Sequence, residues 1–295
     1  MNAETKKRVL EDLLVRLNVV RKEGGTFHGR RQSYRSGNVF GGQIISQALS
    51  AGYQTVPEDR SVHSLHAYFT LPADVNTPLT YVVDQLRDGA SFNTRRITAL
   101  QNDLTVFSML TSFQIEEQGL DHQDEMPDVP GPEECSNFLS DSEKKMLENI
   151  PPKLRERILN KNPIEIRHIH PKGHSKSPGS TTERMIWFRA VHPMSMDKTV
   201  HRLMLAYASD YSLVATPLYR HGYSFWDHGM QVASLDHAIW FHRDFRMDEW
   251  LLFAIHSPTA CKARGLSLAH IFNRKGVMVA TVAQEGLMRF TNKSS

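Results

Sequence analysis

Asp210 is an acidic residue in a segment that otherwise predicts an enclosed, apolar helix over residues 201–214. It falls seven residues after Leu203, on the apolar face of that helix. Because an unpaired buried carboxylate is costly, we expect Asp210 to have hydrogen-bonding partners or a raised pKa. The C-terminal end of the helix dipole would add to that cost. The alternative is a surface Asp at a helix end.

Two polar residues on predicted strands are further candidates. Gln284 ends the run 277–284, in which both faces are apolar, so the strand should be covered on both sides. Ser234 lies near the start of the predicted strand 231–241, which crosses the most aromatic part of the chain. An amide and a hydroxyl can both hydrogen-bond a water or a substrate. The structural alternatives are a strand-end Gln that reaches water and a small polar residue at a strand start.

Histidines offer competing candidates for a general base. His63 and His66 lie on a predicted strand, where either could be catalytic or structural. Asp236 and His237 are adjacent in another strand, so their side chains point to opposite faces and cannot form a dyad together.

The same sequence predicts neither a metal site nor a cofactor. His168, His170 and His174 have a spacing that could hold zinc, but no fourth ligand is evident and a Gly/Ser/Pro-rich segment follows. The chain has no phosphate-binding G-x-x-x-x-G-K, no dinucleotide fingerprint, no H-E-x-x-H and no G-x-S-x-G nucleophile elbow. Gly41 and Gly42 open a predicted helix, whose start could bind an anion or an oxyanion, or simply pack tightly.

Composition narrows the class of protein. The chain has 295 residues, 40% of them hydrophobic and 23% charged, as expected for a globular protein with a substantial core. A net charge of +3 does not favour binding to nucleic acid. Two cysteines, Cys135 and Cys261, cannot form a disulfide framework, which favours a reducing cytoplasm. No signal peptide and no apolar run long enough for a membrane span are predicted.

A helix followed by antiparallel strands is predicted in both halves, which makes the fold α+β. In the first half an amphipathic helix over 4–19 precedes the helix at Gly41 and four strands, the last two joined by a turn at Asn102-Asp103. The predicted strands are 62–69, 79–86, 92–101 and 105–114, then 163–170, 185–191, 231–241, 250–256, 266–272 and 277–284. The predicted divisions are an N-terminal domain 1–120, a Pro-rich linker 121–162 with a short helix near 142–148, and a C-terminal domain 163–295.

Several segments together resemble the acyl-CoA thioesterase II family, in the family's order and over nearly the whole chain. They are VFGGQIISQAL, VHSLHAYF, LRDGASFNTRR, YASD, ASLDHAIWFHR and QEGLMR. The resemblance implies a double hotdog fold, in which two fused units each enclose a long helix in an antiparallel sheet. It also implies hydrolysis of acyl-CoA thioesters to free fatty acid and CoA without a cofactor, and assembly into homo-oligomers.

The resemblance also implies a catalytic trio, which falls on Asp210, Ser234 and Gln284. Many bacterial relatives have Thr where this chain has Ser234, and both side chains supply a hydroxyl. One water held by the trio would attack the thioester, with Asp210 as base. The ending Asn-Lys-Ser-Ser is not the peroxisomal Ser-Lys-Leu address, so we expect a bacterial, cytoplasmic member. The alternatives are an acyl-CoA-binding module without turnover, and a hydratase or dehydratase, which would need an Asp/His pair on the enclosed helix.

Overall fold

Each half of the chain places one apolar helix against an antiparallel sheet. The computed structural model describes residues 1–30, 37–135, 162–169, 183–223, 225 and 227–291. The helices are α1 (Ala3–Leu17), α2 (Gly41–Tyr53), α3 (Lys198–Ala208) and α4 (Ala215–Arg220), with a 3-10 turn at Glu23–Gly25. The strands are β1 (Val20–Arg21), β2 (Phe27–His28), β3 (Ser61–Phe69), β4 (Thr80–Asp88), β5 (Phe92–Gln101), β6 (Leu104–Gln114), β7 (Ile164–His168), β8 (Glu183–Ala190), β9 (Met230–Ser234), β10 (Asp236–Phe241), β11 (Leu251–Cys261), β12 (Arg264–Asn273) and β13 (Met278–Phe290).

The two half-sheets are joined edge to edge into one antiparallel sheet. Its order is β1-β2-β4-β5-β6-β3-β10-β13-β12-β11-β8-β7, and β9 also pairs with β13. The halves meet where β3 pairs with β10, with Leu65 opposite Ile239. The sequence predicts one sheet per half and gives no sign of this junction. Each half nevertheless keeps its own helix and strands, which agrees with the double hotdog architecture that the resemblance implies.

Helices α2 and α3 pack against each other in one core that both halves share. They run antiparallel, because the Ser46 hydroxyl donates to the Leu203 carbonyl (2.9 Å) while Gly42 approaches the Tyr207 carbonyl at the other end. Nearly all of α2 is buried, including its polar residues Gln43, Ser46, Gln47 and Ser50. This packing brings the start of α2 beside the end of α3.

The helix predicted over 201–214 is shorter than expected and begins earlier. It spans Lys198–Ala208, and Asp197 caps its start by accepting a hydrogen bond from the Thr199 N–H (2.8 Å). At its end the Ser209 hydroxyl donates to the Ala206 carbonyl (3.1 Å), and Ser212 adopts a φ of +70°, which no helix accommodates. The prediction was wrong because the apolar residues beyond Ala208 are buried in a turn that leads to α4.

Two strand boundaries near the candidate residues also differ from prediction. The segment predicted as one strand over 231–241 is split at Leu235 into β9 and β10, because one extra residue bulges opposite β13. Ser234 therefore ends β9. The last strand, predicted to end at Gln284, continues to Phe290, so Gln284 lies inside β13.

One predicted turn and one strand agree with the structure, and two predictions lie outside the described residues. Asn102 and Asp103 form the predicted turn with φ of +49° and +61°, and β5 has the predicted bounds. The predicted linker helix near 142–148 lies outside the described residues, as do His170 and His174 of the possible zinc site. Within the described part of the chain, no group of three or more His, Cys, Asp or Glu side chains could hold a metal ion. None of the described helices is long and apolar enough to cross a membrane.

Candidate active site

Asp210 lies just beyond the end of α3 and faces the start of α2. Its Oδ2 accepts a hydrogen bond from the Gly42 N–H (2.8 Å) and its Oδ1 accepts one from Gln284 Nε2 (2.7 Å). The sequence predicts an unfavourable dipole at this position. In the structure the interaction with a helix dipole is favourable, because the carboxylate faces the positive, N-terminal end of a second helix.

The two glycines at the start of α2 make this approach possible. A Cβ at Gly42 would lie 2.2 Å from the Tyr207 carbonyl oxygen, and one at Gly41 would lie 2.8 Å from Asp210 Oδ2. Tight packing and binding of an anion, which the sequence left as alternatives, therefore occur together. The anion at this helix start is the protein's own carboxylate.

Gln284 and Ser234 complete a cluster of three polar side chains around the carboxylate. Gln284 is 1% exposed, and its Nε2 lies 3.2 Å from Ser234 Oγ as well as 2.7 Å from Asp210. Gln284 Oε1 is buried and has no hydrogen-bond partner among the described residues. The structure thus brings the three sequence-predicted residues together at the junction of α2, α3, β9 and β13.

Burial raises the pKa of Asp210 to about 6. Hydrogen bonds from the Gln284 amide, the Gly42 N–H and the Ser234 hydroxyl lower it and limit the rise. A carboxyl group with this pKa is charged at neutral pH but is far more basic than an exposed Asp. It is therefore well matched to accept a proton near pH 7.

Sequence reasoning missed a second layer of polar side chains. His237 is 1% exposed, with Nδ1 at 3.2 Å from Gln284 Nε2 and Nε2 at 2.9 Å from Ser209 Oγ. The adjacent Asp236 accepts instead from the Glu285 N–H (2.6 Å), so the two neighbours form no dyad, as predicted. His237 could have been found from its place on the inward face that it shares with Ile239.

The competing histidines lie away from this cluster. His66 is exposed on the outer face of the sheet, edge-on to Trp240 at 5.0 Å between ring centroids. His63 packs against Phe92 (5.6 Å), and its position is six residues along β3 from Phe69, the residue that reaches the start of α2. At about 3.3 Å per residue, His63 is roughly 20 Å from the site.

An Asp/His pair for hydration or dehydration is also absent from the described part of α3. The histidine on this helix, His201, is bonded through Nε2 to the Ser195 carbonyl (2.9 Å) and through Nδ1 to the Met247 N–H (3.0 Å). It lies nine residues before Asp210.

The first half repeats the geometry of the site without its chemistry. Strands β3 and β6 have a one-residue bulge at the place where β9, β10 and β13 have theirs. The matching pairs put Val62 where the second half has Ser234, and Thr111 where it has Gln284. The polar cluster therefore belongs to one half only.

Comparisons with known proteins place the chain among thioesterases. Family models match residues 160–287 (acyl-CoA thioesterase) and 30–114 (acyl-CoA thioesterase N-terminal domain). Acyl-CoA thioesterase 2 of Haemophilus influenzae is 36% identical over 96% of this chain and 99% of its own length. Acyl-coenzyme A thioesterase 8 of Homo sapiens is 35% identical over 92% of this chain and 87% of its own. The solved structure of the acyl-CoA thioesterase II TesB2 from Mycobacterium marinum shares 34% identity, with a TM-score of 0.77 over 96% of this chain and 99% of that one.

Proposed function

Because the chain belongs to the acyl-CoA thioesterase family, we propose that Asp210, Ser234 and Gln284 carry its reaction by activating a water. The enzyme hydrolyses acyl-CoA thioesters to a free fatty acid and CoA. The observation that supports this assignment is the cluster itself: a base, a hydroxyl and an amide meet at one point, and the amide oxygen has no partner among the described residues.

In the proposed reaction a water donates one hydrogen bond to Asp210 and another to Gln284 Oε1, near the Ser234 hydroxyl. Its oxygen attacks the thioester carbonyl carbon while Asp210 takes its proton. The tetrahedral intermediate then collapses, the C–S bond breaks and CoA leaves as a thiolate. A thiol has a pKa of about 8.5, so the thiolate is a good leaving group without a general acid. The proton on Asp210 passes to the thiolate or to solvent.

Ser234 is assigned to hold the water and not to act as a nucleophile. Its Oγ lies 3.2 Å from Gln284 Nε2, a donor that cannot remove a proton. The Ser234 hydroxyl also donates to Asp210, and the proposal assigns that carboxylate to the water and not to the hydroxyl. No histidine nitrogen in the described part of the chain is hydrogen-bonded to it. His237, the nearest described histidine in this network, contacts Gln284 instead.

Activity should depend on the charge state of Asp210. Only the carboxylate accepts a proton, so kcat/KM should rise about tenfold per pH unit below the Asp210 pKa of about 6 and level off above it. Initial rates with one acyl-CoA between about pH 4.5 and 8 measure this profile. The Asp210→Asn variant, as control, should show no inflection near pH 6. A parental profile that is flat down to about pH 4.5 would contradict the assignment.

Ser234 should be replaceable by another hydroxyl but not by Ala. Ser234→Thr should keep most of the activity, since Thr keeps the donor and acceptor and is favoured in strands. Ser234→Ala should lower kcat by about tenfold or more, as expected when one buried hydrogen bond is lost, with thermal unfolding near that of the parent. Release of CoA thiol measures both rates. An Ala variant as fast as the parent would make Ser234 a strand residue only.

Three wider parts of the proposal await tests of their own. We place the enzyme in the cytoplasm, supported by Cys135 and Cys261 being free thiols. We propose a homo-oligomer, supported by apolar side chains exposed on the outer face of the sheet, namely Tyr68 (66%), Leu110 (47%) and Leu268 (40%). We also keep the domain division 1–120, 121–162 and 163–295. Sedimentation tests the homo-oligomer. Limited proteolysis tests the domain division, and it should cut first within 121–162.

A further inference from the structure

A buried histidine lies directly behind the proposed catalytic amide. His237 Nδ1 is 3.2 Å from Gln284 Nε2, and His237 Nε2 is 2.9 Å from Ser209 Oγ. Ser209 Oγ is in turn 3.1 Å from the Ala206 carbonyl oxygen in α3. These contacts connect the backbone of α3 to the Gln284 amide through two side chains outside the proposed trio.

The donors and acceptors along this chain fit together in one way. The Ala206 carbonyl only accepts, so the Ser209 hydroxyl donates to it and accepts from His237 Nε2–H. One N–H of Gln284 donates to Asp210 Oδ1 (2.7 Å). The other faces both His237 Nδ1 and Ser234 Oγ (each at 3.2 Å), so Nδ1 is an acceptor. A reversed amide would set Gln284 Oε1 against the carboxylate, where two acceptors would meet. Burial lowers the pKa of His237 to about 3, so the ring stays neutral and can accept.

The first half of the chain shows that packing alone does not require a histidine here. When the strands of the two halves are aligned by their bulges, Gln284 corresponds to Thr111. The same alignment makes His237 correspond to Leu65. Leu65 is 0% exposed and His237 is 1% exposed, so both fill the same kind of buried position. Burying a polar ring is costly unless it is hydrogen-bonded. The histidine is therefore present in the half that carries the polar cluster, and an apolar side chain is present in the half that does not.

We propose that His237 is a positioning residue that holds the Gln284 amide with its nitrogen toward Asp210 and its oxygen toward the attacking water. This inference rests on the proposed function, because it concerns how one member of the trio is oriented. Gln284 can stabilise the charged carboxylate only in that orientation, and only then does Oε1 remain available to accept from water. Loss of His237 should therefore lower kcat and raise the pKa of Asp210 together.

Three variants of the full-length enzyme test this proposal, alongside the parent and Asp210→Asn. His237→Leu copies the side chain that the first half uses and removes the acceptor. His237→Asn keeps an acceptor near the position of Nδ1. Ser209→Ala leaves His237 in place but removes the acceptor that keeps the proton on Nε2, so the other tautomer, with a donor on Nδ1 facing Gln284, becomes accessible. The last variant carries the test even if His237→Leu does not fold.

A second buried histidine supplies the matched control. His201 is 2% exposed and, like His237, is hydrogen-bonded through both ring nitrogens, to the Ser195 carbonyl and the Met247 N–H. His201→Leu removes the same amount of polar surface from the same half of the core. It should lower stability without changing kcat or the pH profile.

The measurements, with one acyl-CoA, are kcat, KM and the pH dependence of kcat/KM. The fall of kcat/KM at low pH is called the acid limb. Among the described residues no charged side chain shifts the Asp210 pKa, so this limb reports burial and the hydrogen bonds from Gln284, Gly42 and Ser234. We expect His237→Leu to lower kcat by at least about tenfold, to leave KM within about threefold, and to move the acid limb to higher pH. Ser209→Ala should change both quantities in the same direction by less. His237→Asn should recover most of kcat and the parental limb.

Two results would overturn the proposal. One is a folded His237→Leu or Ser209→Ala enzyme with parental kcat and acid limb. The other is a loss of kcat with an unmoved acid limb that His237→Asn does not recover, which would make His237 merely structural. Parental activity in Asp210→Asn would instead overturn the proposed function, whatever the His237 variants do.

Discussion

Asp210→Asn should lower kcat by at least about 10²-fold with little change in KM, because it removes the proton acceptor and keeps the shape of the side chain. The Gly42 N–H can still donate to the Asn oxygen. The second terminal atom of Asn is a nitrogen, and it would take the place of Asp210 Oδ1, which lies 2.7 Å from Gln284 Nε2. Gln284 would therefore lose its acceptor. Steady-state CoA release over a range of acyl-CoA concentrations separates the effect on kcat from that on KM.

The stability of this variant shows whether the loss is chemical. The folded pKa of Asp210, about 6, lies above the unfolded value near 3.9, so the folded parent holds a proton that the unfolded chain releases. The parent should therefore lose up to about 3 kcal/mol of unfolding free energy as the pH rises from about 4 to about 6. Asp210→Asn has no carboxyl group at this position, so its unfolding free energy should not fall for this reason between about pH 4 and about pH 6. It should therefore become more stable relative to the parent as the pH rises. A variant that is inactive because it is unfolded would show the reverse.

Two histidine variants complete the comparison. His63→Ala and His66→Ala should have much smaller effects on kcat than Asp210→Asn. His66 lies on the outer face of the sheet, and His63 packs against Phe92 far along the same strand. A collapse of kcat in His63→Ala alone, with Asp210→Asn near the parental rate, would move the base to β3.

Gly42→Ala should lower both stability and activity, although Gly→Ala inside a helix normally stabilises by about 0.5–1 kcal/mol. The new Cβ would lie 2.2 Å from the Tyr207 carbonyl oxygen, a backbone atom that cannot turn aside. The helices α2 and α3 would have to separate at the active-site end, at a cost of about 1–3 kcal/mol or more. The Gly42 N–H would also leave Asp210, so kcat should fall about tenfold or more, as for loss of a charge-assisted hydrogen bond.

Gly52→Ala, near the other end of α2, is the matched control. Its Cβ would meet the ring of Phe113 at 3.2 Å, a side-chain contact that can relax by a few tenths of an ångström. Chemical denaturation and CoA release should show Gly52→Ala near the parent in both respects. Equal behaviour of the two variants would mean that the close approach at Gly42 has no bearing on the site.

The limits of sequence analysis are visible at the end of α3. Hydrophobic spacing continues through Leu213 and Val214, which are buried, but the backbone there forms a turn and not a helix. Ser212 adopts a left-handed φ that the spacing of apolar residues does not encode. The bulge at Leu235 escaped prediction for the same reason, since the alternation of side chains says little about one extra residue. Long, regular elements such as β5 were predicted to the residue.

The chemistry of the site divides in a similar way. The burial expected of Asp210 and Gln284 follows from their apolar surroundings in the sequence. The resemblance to the family grouped Ser234 with these two residues as a trio. The partners Gly42 and His237 depend on how α2, α3 and β13 meet, with Gly42 lying 168 residues from Asp210 along the chain. Local patterns cannot supply such contacts. His237 was considered only as a partner of its neighbour Asp236, although its true partners, Ser209 and Gln284, lie on other elements.

Direct attack by water, without an acyl-enzyme, is the central claim about the mechanism. Rapid-quench mass spectrometry of the intact enzyme during a single turnover of acyl-CoA in ¹⁸O-water tests it. We expect the unmodified protein mass at every time point and one ¹⁸O atom in the fatty acid. A transient mass increase equal to the acyl group, located on Ser234, would contradict the account and make that residue the nucleophile.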